Sequence, residues 1–337
     1  MNYDVITTGR ISVDIYPHDI GVGLGSVETF GKYLGGSPSN VAVAAARHGR
    51  RTALITRTGD DPFGDFLRSE LSRYGVDPKW ATPVPDLQTP VTFCAIQPPE
   101  DFPLYFYGRR PTAPDWEIDA AEVDYQAVRE ASIFWSTVTG MVRSASREAQ
   151  VAMHRVRPRD MLAEGQHTIL DLDYRPMFWS SKEQAREQVQ RILPFVTVAV
   201  GNSEECSVAV GEGTADEQAD RLLAAGVQLA VVKLGSAGVM AATPDERVVS
   251  EPIPVETVNG LGAGDAFGGA LCHGLLAGWP LRSILDFANA AGAHVAARIA
   301  CSEAMPAEAE LRAMLQGRGR ELPPTAAAQP SAPQGQG

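Results

Sequence analysis

No two of the four cysteines (Cys94, Cys206, Cys272 and Cys301) stand at short spacing in this 337-residue chain. That excludes a clustered zinc site and a small disulfide scaffold. The six histidines form no His-x-x-x-His pair. No apolar run reaches the ~18 residues that a membrane-spanning helix requires. Positive charge is scarce as well: 29 Lys and Arg against 41 Asp and Glu leave a net charge of −12. A nucleic-acid backbone calls for a basic face, so neither a nucleic acid nor a membrane is an expected partner. Any anion site must be assembled from local positive groups. No Gly-x-x-x-x-Gly-Lys-Ser/Thr stretch occurs, which excludes a P-loop. Gly21-Val22-Gly23-Leu24-Gly25 neither follows the first strand directly nor opens a helix, so it is not a dinucleotide fingerprint. There is no internal repeat.

What is present is alternation. Strand-like apolar runs at 4–8, 53–58, 132–138, 168–172, 196–200, 229–234 and 238–242 are separated by amphipathic stretches. The helical stretches are 40–48, 63–74, 146–163, 182–192, 203–208, 216–225, 264–277 and 281–299. This rhythm predicts an α/β doubly wound, mainly parallel sheet flanked by helices. Residues 12–35 and 89–115 break it with short polar-alternating strands and predict a small β-sheet lid, in which 89–97 and 103–107 form a hairpin. One domain over 1–318 is expected. The Pro/Ala/Gln-rich tail over 319–337 has no apolar face to offset its ordering entropy and is expected to be disordered. The chain opens directly on a strand without a signal-like segment, which predicts a cytoplasmic protein with reduced thiols.

The strongest local signal is Asn259-Gly260-Leu261-Gly262-Ala263-Gly264-Asp265, running into a helix of small residues. Glycines let successive N–H groups converge as an anion nest, and the helix adds its free amides and positive dipole end. A phosphoryl group in transfer suits that place. Asp265 is either a first-turn acid or a base that aligns a hydroxyl; the helix terminus is expected to keep it ionised. A second signal, Gly35-Gly36-Ser37-Pro38-Ser39-Asn40, permits close approach to a ligand, with Asn40 a cap or a polyol donor.

Together, Gly35-Gly36…Asn40…Gly49…Gly59 and Gly262-Ala263-Gly264-Asp265 resemble the two signatures of the ribokinase-like, phosphofructokinase-B type carbohydrate kinases, over residues 3–315. Gly260 departs from that pattern, where a small hydroxyl residue or Val is common, and implies a looser turn. The resemblance implies ATP with Mg²⁺, Asp265 as base, and the amides of Gly262, Ala263 and Gly264 on the phosphoryl group. Asn202 and Glu205 resemble the Asn-x-x-Glu motif that orders Mg²⁺ through water; a helix cap is the alternative. Lys233, Gly235 and Gly238 resemble the nucleotide-side loop, and Asp14 the acid that holds sugar hydroxyls. The resemblance leaves open a monovalent cation such as K⁺ and a homodimer formed through the lid.

The Asp171-Leu172-Asp173-Tyr174-Arg175 stretch resembles the element in sugar-acid kinases whose arginine meets a carboxylate. Tyr107 and Arg109, beside Tyr105 and Arg110, are further candidates from the lid. With residues 9–17, this stretch most resembles the 5-dehydro-2-deoxygluconokinases of myo-inositol catabolism. The expected reaction is phosphorylation of the terminal hydroxyl of a small keto-deoxy sugar acid. Alternatives are a 2-dehydro-3-deoxygluconokinase, a fructokinase-like enzyme, or a ligand sensor on the same fold.

Overall fold

The computed structural model describes residues 2–98 and 101–325. Val-, Ile- and Thr-rich runs become strands, in chain order β1 (Val5–Thr8), β2 (Ser12–Pro17), β3 (Phe30–Gly35), β4 (Thr52–Gly59), β5 (Val76–Asp77), β6 (Ala81–Val84) and β7 (Val91–Cys94). Next come β8 (Leu104–Tyr107), β9 (Ile133–Thr137), β10 (His167–Asp171), β11 (Val198–Asn202), β12 (Leu229–Lys233), β13 (Val239–Ala242) and β14 (Arg247–Ser250). The helices begin with α1 (Ser37–Arg47), α2 (Pro62–Arg73), α3 (Tyr125–Glu130), α4 (Ser144–Arg155) and α5 (Lys182–Ile192). They end with α6 (Ser203–Val210), α7 (Ala215–Ala224), α8 (Ala263–Leu276), α9 (Leu281–Ala296) and α10 (Glu308–Gln316).

The main sheet runs β14-β13-β12-β11-β10-β9-β1-β4-β5, with β6 also paired to β4. It is parallel except at β13 and β14. Strand β1 lies between β4 and β9, so the chain winds outward from it in both directions. In open α/β sheets the crevice beyond the strands' carboxyl ends at such a switch point is where ligands bind. A separate sheet, β3-β2-β7-β8, falls within the two segments that break the alternation, and β7 pairs antiparallel with β8 as the hairpin reading requires.

Helices α1 and α8 carry the site, and small residues bring them together. Val41 to Ala45 are fully buried, and a Cβ on Gly269 would lie 2.3 Å from that of Ala44. Glycine inside a helix costs about 1 kcal/mol relative to alanine; here it permits near contact of two backbones, which sets the N-terminal ends of both helices side by side.

Two expectations need correction. The helix predicted over 146–163 stops at Arg155. Pro158 cannot continue it, and buried Arg157 turns inward to donate to the carbonyls of Val128, Arg129, Ala131 and His167. The tail is ordered through residue 325. Arg312 donates to the Leu322 and Pro323 carbonyls and to Thr325, and Arg320 pairs with Asp286. These side chains fix a proline-rich segment that makes no ladder of its own; residues 326–337 of the expected disordered tail lie outside the described residues. No helix among the described residues is long and apolar enough to cross a membrane.

Candidate active site

The carboxyl ends of β1, β10 and β12, the N-terminal turns of α1 and α8 and one face of the small sheet enclose a cavity of about 180 Å³. Thr92 of β7 and Leu104 and Phe106 of β8 form its cover. Its charged lining is Arg10, Arg175 and Lys233 against Asp14, Asp171, Asp173, Glu205 and Asp265.

Asp265 stands in the first turn of α8. Gly262 caps that helix with φ at 79°, a left-handed conformation that favours glycine, and a Cβ there would strike the Cys301 sulfur. Buried Asn259 pins the turn: it donates to the Ile299 carbonyl and accepts from Leu261 N–H. Where a Cβ on Gly260 would sit, the Phe102 ring is 3.1 Å away, so the departure from the family signature makes room for a phenylalanine between β7 and β8. Among the described residues no backbone acceptor meets the N–H groups of Gly262, Ala263 and Gly264, as first-turn amides require for an anion site.

Asn40 Nδ2 donates to Asp265 Oδ2 at 2.8 Å. Burial pushes the Asp265 carboxyl upward from its ordinary value, and Asn40 with the nearby Ser37 side chain only partly offsets it. Desolvation thus works against the ionised form that the helix terminus favours, and it sets the direction of the shift. Asp14 on β2 is likewise raised, to about 6, by burial, although Ser12 and Tyr16 donate to it.

Asp173 binds two arginines. Its Oδ2 accepts from Arg10 Nη2 at 2.9 Å and from Thr139, and its Oδ1 meets Arg175 Nη2 at 2.9 Å. Burial pushes Asp173 up, but the guanidiniums of Arg175 and Arg10 prevail and hold it well below the carboxylate range. Asp171 has only Lys233 and the Asp173 N–H to counter burial, with the Asp173 and Glu205 charges adding to it, and sits at about 7. Below that value the native carboxyl keeps a proton that the unfolded chain, with an ordinary carboxylate, has already lost above pH 4. Asp171 therefore withdraws stability as pH rises from about 4 to 7, with no further loss above. Asp171→Asn is expected to be the more stable protein in urea unfolding at pH 7.5, by on the order of 2 kcal/mol, with little advantage at pH 4.5.

Glu205 and Asn202 form the reciprocal cap of α6: Asn202 N–H to Glu205 Oε2 is 2.8 Å, and Glu205 N–H to Asn202 Oδ1 is 2.9 Å. Glu205 still lines the cavity, 3.6 Å from Arg175 and 3.9 Å from Lys233; Asn202 does not line it. Beyond Lys233 and Gly264 the floor opens into an apolar cleft of about 250 Å³. Gly235, Gly238, Val239, Ile253, Val255, Phe267 and Ala293 line it.

Of the residues singled out from sequence, Asp14, Gly36, Asn40, Arg175, Glu205, Lys233, Gly262, Gly264 and Asp265 meet at the cavity, while Ala263, Gly235 and Gly238 line the cleft. Four do not behave as expected: Asn202 lines neither compartment and serves as the cap of α6, and three others depart as well. Arg109 is buried in a two-pronged pair with Asp115, at 2.8 and 2.9 Å, over the Trp116 ring. Tyr107 is 59% exposed, packed on Phe93 at the outer side of β8. Gly35 makes space for the Asp14 carboxylate, whose Cγ lies 1.9 Å from where a Cβ would be, and not for a ligand. Sequence reasoning passed over Arg10 as a site residue, although it stands two residues beyond the end of β1 at the switch point.

The model of the pfkB family carbohydrate kinases matches residues 3–308. A 5-dehydro-2-deoxygluconokinase from Clostridium perfringens is 30% identical over 310 residues, 90% of each chain. One from Clostridium botulinum is 31% identical over 319 residues, 92% of this chain and 91% of that one. Among solved structures, a putative ribokinase II from E. coli in complex with ATP and Mg²⁺ superposes with a TM-score of 0.83 at 24% identity, covering 94% of this chain and 99% of that one. A fructokinase from Xylella fastidiosa with bound ATP gives 0.80 at 23%, covering 94% and 100%. At such identity the two structures bear on the fold alone.

Proposed function

The chain belongs to the pfkB family of carbohydrate kinases, and from that premise we propose that it moves the terminal phosphoryl group of ATP onto the terminal hydroxyl of a keto-deoxy sugar acid, 5-dehydro-2-deoxy-D-gluconate. The observation that carries the reading is the pairing of Asp265 with Asn40 at the free amides of α8, at the junction of a polar cavity and an apolar cleft. A sugar fits the first compartment and a nucleobase the second. The names of relatives about 30% identical favour the acid, as do two guanidiniums in the polar compartment.

Asp265, aimed by Asn40, takes the hydroxyl proton as the new O–P bond forms and the bond to the leaving ADP oxygen breaks. The amides of Gly262, Ala263 and Gly264 offset the charge on the moving group. Asp14 accepts from sugar hydroxyls, and Lys233 spans both compartments. Five carboxylates against three cations leave the cavity short of positive charge for a polyphosphate, which fits a divalent cation. Glu205 would hold Mg²⁺ through water, and the bound ion supplies neutralisation of phosphate charge.

The test is ADP release on a panel of 5-dehydro-2-deoxygluconate, 2-dehydro-3-deoxygluconate, fructose, ribose and adenosine, run with and without K⁺. The first acid is expected to give the largest kcat/KM. Preference for a neutral sugar would contradict the acid reading, and no ADP release with any acceptor would favour a sensor. A homodimer through the small sheet belongs to the same reading and is tested by light scattering.

A further inference from the structure

We propose that Arg10, rather than Arg175, is the residue that receives the substrate's carboxylate; this rests on the sugar-acid reading above. Arg10 is 5% exposed and lines the polar cavity. Its Nε donates to Thr139 at 2.9 Å and its Nη2 to Asp173 at 2.9 Å, while Nη1 meets no acceptor among the described residues. The guanidinium lies over the rings of Phe106 and Phe178, 5.9 and 5.8 Å from their centroids. Its backbone abuts Gly36, where a Cβ would lie 2.5 Å from the Arg10 carbonyl oxygen.

Burying an ion pair costs desolvation that apolar residues of equal volume avoid. A pair anchored on three sides, with one nitrogen left toward a ligand cavity, is what preorganised recognition of an anion requires. The position is also right. Arg10 stands beside Asp14, Gly36 and the cover formed by β8, at the sugar end of the cavity.

Arg175 lines the same cavity and shares Asp173, but differs in its remaining contacts and exposure. Its Nη1 donates to the Tyr174 carbonyl and lies 3.6 Å from Glu205, its Nη2 is held by Asp173, and its side chain is 36% exposed. Glu205 in turn faces Lys233, so Arg175 belongs to the phosphate end. Asp173 bridges the two arginines and holds one toward each reactant.

The experiment is steady-state kinetics of Arg10→Gln, Arg10→Lys and Arg175→Gln with 5-dehydro-2-deoxygluconate, fructose and ATP, each variant checked for its melting transition. Arg10→Gln is expected to raise KM for the acid about 30-fold or more while KM for ATP stays within about threefold. Arg10→Lys keeps the charge but not the planar fork, and is expected to raise the acid KM about tenfold. Arg175→Gln is expected to act on kcat and on KM for ATP. A folded Arg10→Gln with the parent's KM for the acid overturns the assignment; if that variant does not fold, a parental KM in Arg10→Lys does so. A parent enzyme that turns over only neutral sugars overturns the underlying substrate reading instead.

Discussion

Asp265→Asn is expected to lower kcat by about 10³–10⁴-fold while ATP affinity changes little. The amide is isosteric and can still bond to Asn40, so the turn and the N-terminus of α8 should keep their shape. What is lost is the acceptor for the proton. The wild-type enzyme carries its own internal check, because burial raises the Asp265 pKa above the ordinary carboxylate value. The carboxylate must be ionised to act, so kcat/KM falls as pH drops through that raised value. Removing a donor that favours the ionised form shifts the limb further: Asn40→Ala is expected to move it to higher pH. A profile that does not move would detach Asn40 from the mechanism.

Gly269→Val is expected to reduce kcat/KM by about 100-fold, although residue 269 touches neither reactant. Position 269 faces the Ala44 Cβ and, at 2.8 Å, the backbone nitrogen of Ala45. Backbone cannot yield as a flexible side chain can, so α8 must move away from α1. Overpacking of this kind costs about 1–3 kcal/mol of stability. The larger consequence is at the other end of the helices, where Asn40 and Asp265 are 2.8 Å apart only because the two backbones meet. A misplacement of about 1 Å in a reacting constellation costs on the order of 100-fold. Steady-state kinetics together with a urea melt separate the two effects; a stable variant with parental kinetics would show that the contact does not position the site.

The parts legible in sequence are those whose physics is local. Strand β1, the helix over 182–192 and the turn before Asp265 follow from side-chain pattern and glycine spacing within a few residues. Arg10 was opaque because its meaning lies in Thr139 and Asp173, which are 129 and 163 residues away. Arg109 illustrates the opposite error. A lid arginine in an acidic chain suggested a ligand contact, but Asp115 lies six residues on and satisfies it. Ionisation was the least readable property. The N-terminus of α8 argues for a low pKa at Asp265, and only the packing of α1 and the small sheet around it shows that desolvation wins. The segment 319–325 was misjudged because its order comes from Arg312 and other body side chains, not from its own composition.

The central claim concerns the amides that open α8 and the carboxylate beside them. A crystal structure with a non-hydrolysable ATP analogue, Mg²⁺ and the keto acid tests it most directly. The terminal phosphate is expected within about 3 Å of the Gly262–Gly264 nitrogens, with Asp265 facing the acceptor hydroxyl. A terminal phosphate bound away from that turn would contradict the account.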